Sequence, residues 1–221
     1  MSLRTRGRAL AAEAIGTFAL VFVGAGAIMV DAETGEPGQV GIALAFGLVV
    51  AAMIYAVGHI SGAHLNPAVS FAFAVARHFP WSRLAAYWAA QAAGALTAAA
   101  LLRGSLGDVA STGATLPSGS DAQAFLWEAV LTFFLMFVIT AVATDVRAIG
   151  EAAALAIGGT VALDALVGGP ITGASMNPAR SLGPALVSGK LDSIWIYVAA
   201  PLLGATLGAL AYGAVRGERP E

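Results

Sequence analysis

The fold class this sequence predicts is an all-α polytopic membrane protein: six transmembrane helices and two re-entrant half-helices in an inverted internal repeat. Three observations carry that expectation. Apolar runs of about 20 residues recur along the chain, each long enough to cross a bilayer as a helix. Two shorter apolar pieces, of about ten residues, cannot cross. Each opens on Asn-Pro-Ala, at Asn66-Pro67-Ala68 and Asn177-Pro178-Ala179. Finally, the two halves of the chain carry matching residues in register.

Composition agrees. Of 221 residues, 58% are hydrophobic and 11% charged, about half the charged share of an ordinary soluble domain. A net charge of −2 spread over so few ionisable residues argues against a nucleic-acid partner. With no cysteine in the chain, disulfides, thiolate catalysis and thiolate metal sites are excluded.

The spanning blocks are expected at 9–30, 40–58, 83–102, 124–143, 151–168 and 193–214. Polar stretches separate them, among them "DAETGEPG", "RHFPWSR", "RGSLGDVASTGATLPSGSD", "TDVRAIGE" and "SGKLDS". The basic N-terminus resembles a signal n-region, but the apolar run through Val30 is too long for an h-region, so it reads as a retained first span. Proline suits the first turn of a helix and asparagine its N-cap. Both Asn-Pro-Ala boxes therefore read as starts of half-helices reached by re-entrant loops.

The repeat is read by laying Asn66 on Asn177. Gly47, Gly58, Gly62 and Ala68 then fall on Gly158, Gly169, Gly173 and Ala179. With a one-residue slip, Tyr87, Ala89, Ala90 and Gly94 match Tyr197, Ala199, Ala200 and Gly204, and "EAIGTFALVF" from Glu13 resembles "EAVLTFFLMF" from Glu128. The chain is thus a single membrane domain, 1–221, built of repeats 1–110 and 121–221. Three spans per repeat is an odd number, so the copies must be inverted, and half-helices at corresponding places mark the functional site.

Irregular backbone at membrane depth is tolerated only where it is buried in protein or lines a water-filled cavity. Half-helices entering from opposite faces bring the positive ends of their dipoles together at the midplane, with Asn66 and Asn177 at the junction. Each asparagine can cap its helix and still offer an amide N–H to a lumen, while the preceding loops expose a line of backbone carbonyls. Such a path suits water or a small neutral polar molecule and repels cations.

The paired boxes, the phrases "VGHISGAHLNPAVS" and "GASMNPARSLGPA", and the helix-opening Glu13 and Glu128 resemble the aquaporin, or major intrinsic protein, family over nearly the whole chain. Within it, "RHFPW", "AVATDVRAIGE" and "GGPITGASMNPARSLGPALVSG" are most similar to the nodulin-like intrinsic proteins. The resemblance implies an aquaporin-like right-handed bundle, a homotetramer with one pore per protomer, and passive conduction of water or small uncharged solutes.

It also implies an outer selectivity filter at Phe46, Ala165, Ala174 and Arg180. There the Arg180 guanidinium would donate to a permeant oxygen and raise the barrier to cations. Water-selective relatives usually carry histidine at the position of Ala165, and glycerol-conducting ones glycine there with an extra aromatic near Ala174. Two alanines opposite Phe46 and Arg180 imply a pore wide enough for glycerol, urea or neutral metalloid acids. Ser181, Ala185 and Tyr197 instead match the water-channel pattern, which keeps a strictly water-selective channel as the alternative.

The remaining polar residues read as support. Glu13 and Glu128 are expected to brace the loops inside the protein, and His64 to anchor the first loop. His59 is a candidate for the cytoplasmic vestibule. Asp164 is read as accepting from loop N–H groups, in preference to an ion pair with Arg180. If Ala165 faces the lumen, its neighbour, about 100° around the helix, does not.

No Gly-x-Ser-x-Gly elbow or His-Glu-x-x-His pair points to an enzyme. Nothing calls for a cofactor or a metal. A secondary transporter would need coupling-ion ligands at the midplane, where asparagines and alanines stand. Arg4, Arg6, Arg8, Arg77, Arg83, Arg147, Arg216 and Arg219 fall on one side of the spans, against Arg103 and Lys190 on the other. That bias places both termini in the cytoplasm of a cell membrane. Ala90-x-x-x-Gly94 and Gly204-x-x-x-Gly208 allow close helix approach, between protomers or within one.

Overall fold

The computed structural model describes residues 3–144 and 152–217. Arg147, Arg219 and most of "TDVRAIGE" lie outside the described residues. Six helices are long and apolar enough to cross a membrane: α1 (Leu3–Thr34), α2 (Gly38–Ser61), α4 (Leu84–Leu106), α5 (Asp121–Thr144), α6 (Ala153–Thr172) and α8 (Ile196–Val215). Between them sit the two short helices α3 (Pro67–Val75) and α7 (Pro178–Ser188). All six spans and both half-helices fall where the sequence places them. The spans run a few residues past the apolar blocks, because a helix continues beyond the hydrocarbon until a turn stops it.

The inverted repeat is visible in the packing. α1 lies along α4 and α2, as α5 lies along α8 and α6, and α2 meets α6 where the halves join. Each half-helix packs on a spanning helix of the other half, α3 on α8 and α7 on α4. Glycines set these approaches. A Cβ on Gly47 would overlap the carbonyl oxygen of Gly158, and one on Gly158 that of Gly47. The small-residue spacings do the same within the protomer: Gly94 lies on the Ala14 carbonyl of α1, and Gly204 and Gly208 on the Ala129 and Phe133 carbonyls of α5. These positions are spent on internal packing.

α2 and α6 end alike. Gly62 (φ 92°) and Gly173 (φ 84°) adopt the left-handed conformation, and their N–H groups close on Gly58 and Gly169 at 2.9 Å. A loop then runs back into the protein to each Asn-Pro-Ala box.

Candidate functional site

Each re-entrant loop is held by one buried carboxylate. Glu13, on α1, accepts from the backbone N–H of His64 (2.9 Å) and Leu65 (2.7 Å), and from Ser61 Oγ (2.7 Å) and Gln91 Nε2 (2.8 Å). Glu128, on α5, accepts from the N–H of Ser175 and Met176 (both 2.8 Å) and from Thr172 Oγ1 (2.7 Å). Donors converge on both oxygens of each group, so both acceptor atoms are used in holding the loop. Both are fully buried, so their bracing is internal. Tyr87 and Tyr197 complete the set, donating to the carbonyls of Ser61 (2.8 Å) and Thr172 (2.7 Å).

This bracing dictates where the carbonyls point. In a trans peptide the N–H and C=O face opposite ways. With the His64 and Leu65 N–H groups turned into the wall, the Ala63 and His64 carbonyls turn away from it, and the Ala174 and Ser175 carbonyls do likewise in the second loop. The geometry requires left-handed backbone at residues with side chains: Ala63 (φ 45°), Leu65 (φ 52°), Ala174 (φ 41°) and Met176 (φ 53°). Strain of this kind costs on the order of 1–3 kcal/mol per residue and persists where surrounding contacts over-determine it. Here the carboxylates supply those contacts.

The two asparagines meet at the centre. Asn66 Oδ1 caps α3 through the N–H of Ala68 (2.8 Å), and Asn177 Oδ1 caps α7 through Ala179 (3.0 Å) and Arg180 (3.3 Å). Their amide nitrogens cross over, Asn66 Nδ2 to the Met176 carbonyl and Asn177 Nδ2 to the Leu65 carbonyl, each at 2.8 Å. One N–H of each amide is thereby used to tie the halves together. The other is left for the lumen. Pro67 and Pro178 take the first helical position in α3 and α7.

An inner cavity of about 410 Å³ runs from the Thr144 and Ala153 end of the bundle past both loops and both asparagines. An outer cavity of about 230 Å³ opens among Ile28, Gln39, Ile42 and Leu116. Phe46, Ala165 and Arg180 line both cavities, and Ala174 lines the inner one beside them. These four residues stand where the two cavities adjoin, a place we call the neck.

Arg180 is 1% exposed. Its Nη1 donates to the Gly113 carbonyl at 2.8 Å, while Nε and Nη2 are buried with no partner among the described residues. The Phe46 ring lies over the guanidinium, 5.0 Å from Cζ to ring centroid. Behind that ring stands Gly24, where any Cβ would collide with it. The width of the neck therefore depends on the seating of Phe46 as well as on the two alanines.

One expected role is not met. Asp164 accepts no loop N–H, because Glu128 takes those of Ser175 and Met176. Nor does it pair with Arg180, which turns to Gly113. Asp164 is buried in the wall with Oδ2 unpartnered among the described residues, and it lines neither cavity. His59 is exposed at the end of α2, away from the inner cavity. His78 lines the inner cavity. His64 does sit in the first loop, with Nδ1 at 3.0 Å from Ser70 Oγ and aromatic contacts to Phe73, Phe79 and Tyr87.

Several residues went unread in the sequence. Ser61 and Thr172 occupy equivalent repeat positions, so extending the alignment by one residue finds them. Gln91, Gly113, Gly24 and Gln39 carry no local motif. Ser181 bonds to Ser175 Oγ (2.5 Å) and Thr115 Oγ1 (2.7 Å), so it stiffens the second loop from inside the wall.

A six-helix bundle whose two half-helices meet beside an internal cavity, with a second cavity adjoining it, defines a membrane channel. Comparison with known proteins agrees. The major intrinsic protein family matches residues 2–212. Aquaporin NIP1-1 of Oryza sativa subsp. japonica is 53% identical over 207 residues, 93% of this chain and 73% of that protein. Nodulin-26 of Glycine max is 50% identical over 209 residues, 94% of this chain and 77% of its own. The X-ray structure of the aquaglyceroporin from Plasmodium falciparum superposes with a TM-score of 0.85 at 29% identity, over 96% of this chain and 97% of that one. The chain belongs to the major intrinsic protein family, with the pattern of its nodulin-like members. It is a multi-pass membrane channel for water and small neutral solutes.

Proposed function

We propose that this channel passes water together with glycerol, urea or undissociated metalloid acids, and that it excludes ions and protons. The observation that carries this reading is the pair of unpartnered, buried donors on Arg180 at the neck, opposite two alanines. These donors point at the neck, so the oxygen of a permeant, water or solute, can accept from them as it passes. Ala165 and Ala174 leave space for a carbon skeleton that a histidine would fill.

Beyond the neck, a permeant exchanges hydrogen bonds with the Ala174 and Ser175 carbonyls, the free N–H of each asparagine, and then the His64 and Ala63 carbonyls. Each step replaces a lost water contact without a charge change. The Arg180 charge and the converging N-termini of α3 and α7 oppose cations, hydronium included. Asn66, Pro67, Ala68, Asn177, Pro178 and Ala179 are read as the central pore element, and Phe46, Ala165, Ala174 and Arg180 as its filter.

The same reading takes the protein to a cell membrane as a homotetramer with both termini cytoplasmic. Arg4, Arg6, Arg8, Arg77, Arg83 and Arg216 at one end of the spans support the orientation. Family membership supports the tetramer. A reporter fused after Glu221 and active only outside the cytoplasm would contradict the first, and native mass spectra showing monomers alone in mild detergent the second.

Ion exclusion is tested in proteoliposomes carrying an entrapped pH dye. Water permeability should rise well above that of protein-free vesicles while proton leak stays at their level. A proton or potassium conductance that scales with protein content would contradict the mechanism.

A further inference from the structure

Gln39, in the first turn of α2, has no role in the pore described so far. Its Nε2 donates to the Ala165 carbonyl at 2.8 Å and reaches the Leu166 carbonyl at 3.4 Å. Leu166 lies four residues before Pro170, which has no N–H to return to it. A spanning helix keeps such a proline where another donor serves the freed carbonyl. Gln39 is that donor.

Two features hold the amide in place. The Gly38 N–H is tied to Asp31 Oδ1 at 2.7 Å, which fixes the start of α2 against the end of α1. Gly169 presents no side chain where one would collide with Gln39 Nε2. Since the groups facing the amide are carbonyls, it must show them its nitrogen, and its oxygen turns away. Gln39 lines the outer cavity with Ile28, Ile42 and Arg180, and no described residue donates to its Oε1.

We propose that Gln39 Oε1 is a solute-binding acceptor at the outer mouth, favouring neutral solutes that carry hydroxyl or amide donors. The proposal rests on the solute range argued above and deepens it. A solute losing water on its way to the neck must have its donors met or lose free energy. Oε1 meets them, while Ile28 and Ile42 accept the C–H edge of a polyol. The same residue fixes the Ala165 backbone, so mouth and neck are set by one side chain.

Gln39→Met keeps the length and removes both donor and acceptor. Gly169→Ala leaves the glutamine but displaces its amide, and serves if Gln39→Met does not fold. Crystals of the wild-type channel soaked in glycerol should show a hydroxyl within hydrogen-bond distance of Gln39 Oε1, and the variant should lose it. In proteoliposomes, glycerol and urea permeability relative to water should fall at least threefold. A purely structural role, acting through the Ala165 backbone, could also move that ratio, but it would leave no hydroxyl bound at Gln39 Oε1 in the wild-type crystals. Where glycerol passes, an unchanged ratio overturns the proposal, and so does glycerol absent from Gln39 in the wild type. If glycerol binds at Gln39 but does not pass, the wide-filter reading fails and the proposal stands. If glycerol passes with the ratio indifferent to Gln39→Met, the proposal fails and the wide-filter reading stands.

Discussion

Asn66 donates its side-chain amide to the carbonyl of Met176 at 2.8 Å, 110 residues away in the opposite repeat. The reciprocal bond from Asn177 to Leu65 closes a ring at the centre of the lumen. The residue that caps a half-helix thus also ties the two repeats together.

Asn66→Ala removes the α3 cap, worth about 1 kcal/mol, and the cross-repeat bond, worth about the same. Thermal inactivation in detergent should shift down by several degrees, with a fall in water permeability. A variant with unchanged stability and flux would show that the amide ring is incidental.

Gly24 gives a second test, because it makes room for the Phe46 ring. A methyl group there overlaps the ring atoms, and a phenyl ring cannot yield as a flexible chain would. Gly24→Ala should push Phe46 toward the neck and lower glycerol permeability more than water permeability. An equal fall in both would mean that the helices shift instead of the ring.

Asp164 stands in the wall with Oδ2 unsatisfied, so its removal should improve the fold and spare the pore. For Asp164→Ala, which removes the unpaired oxygen, we expect water and urea fluxes within about twofold of wild type. Relief of about 1 kcal/mol of burial cost would raise the melting temperature by about 2–4 °C. A change in solute selectivity would show instead that Asp164 reaches the lumen.

The filter can be narrowed by design. Ala165→His with Ala174→Thr fills the space opposite Phe46 and adds a donor facing Arg180. Glycerol and urea permeability should fall roughly tenfold, a barrier increase of about 1.4 kcal/mol, with water flux changed far less. Solute flux that survives the double substitution would place the constriction elsewhere.

The spans, the half-helices and the caps were legible because each has a local cause. Span length follows from bilayer thickness, and Asn-Pro at a helix start follows from capping and the fixed proline φ. Glu13 and Glu128 could be paired through the repeat, although their donors come from loops some 50 residues away along the chain. Asp164 was misread because a position on a helical wheel tells which side a residue takes but not which neighbour waits there. Glu128 had already claimed the loop N–H groups. The connector after α4 reads as polar punctuation, yet its Gly113 carbonyl holds Arg180, and its Ser118 bonds back to Ile171. Nothing local in that stretch encodes so distant a contact.

The central claim is that a filter with two alanines passes small neutral solutes as well as water. Stopped-flow light scattering of proteoliposomes under glycerol and urea gradients, with sucrose as the impermeant reference, tests it most directly. We expect shrinkage under glycerol or urea to be followed by protein-dependent re-swelling, and shrinkage under sucrose to persist. Fast water efflux with glycerol, urea and sucrose all equally impermeant would contradict the account and mark the channel as strictly water-selective.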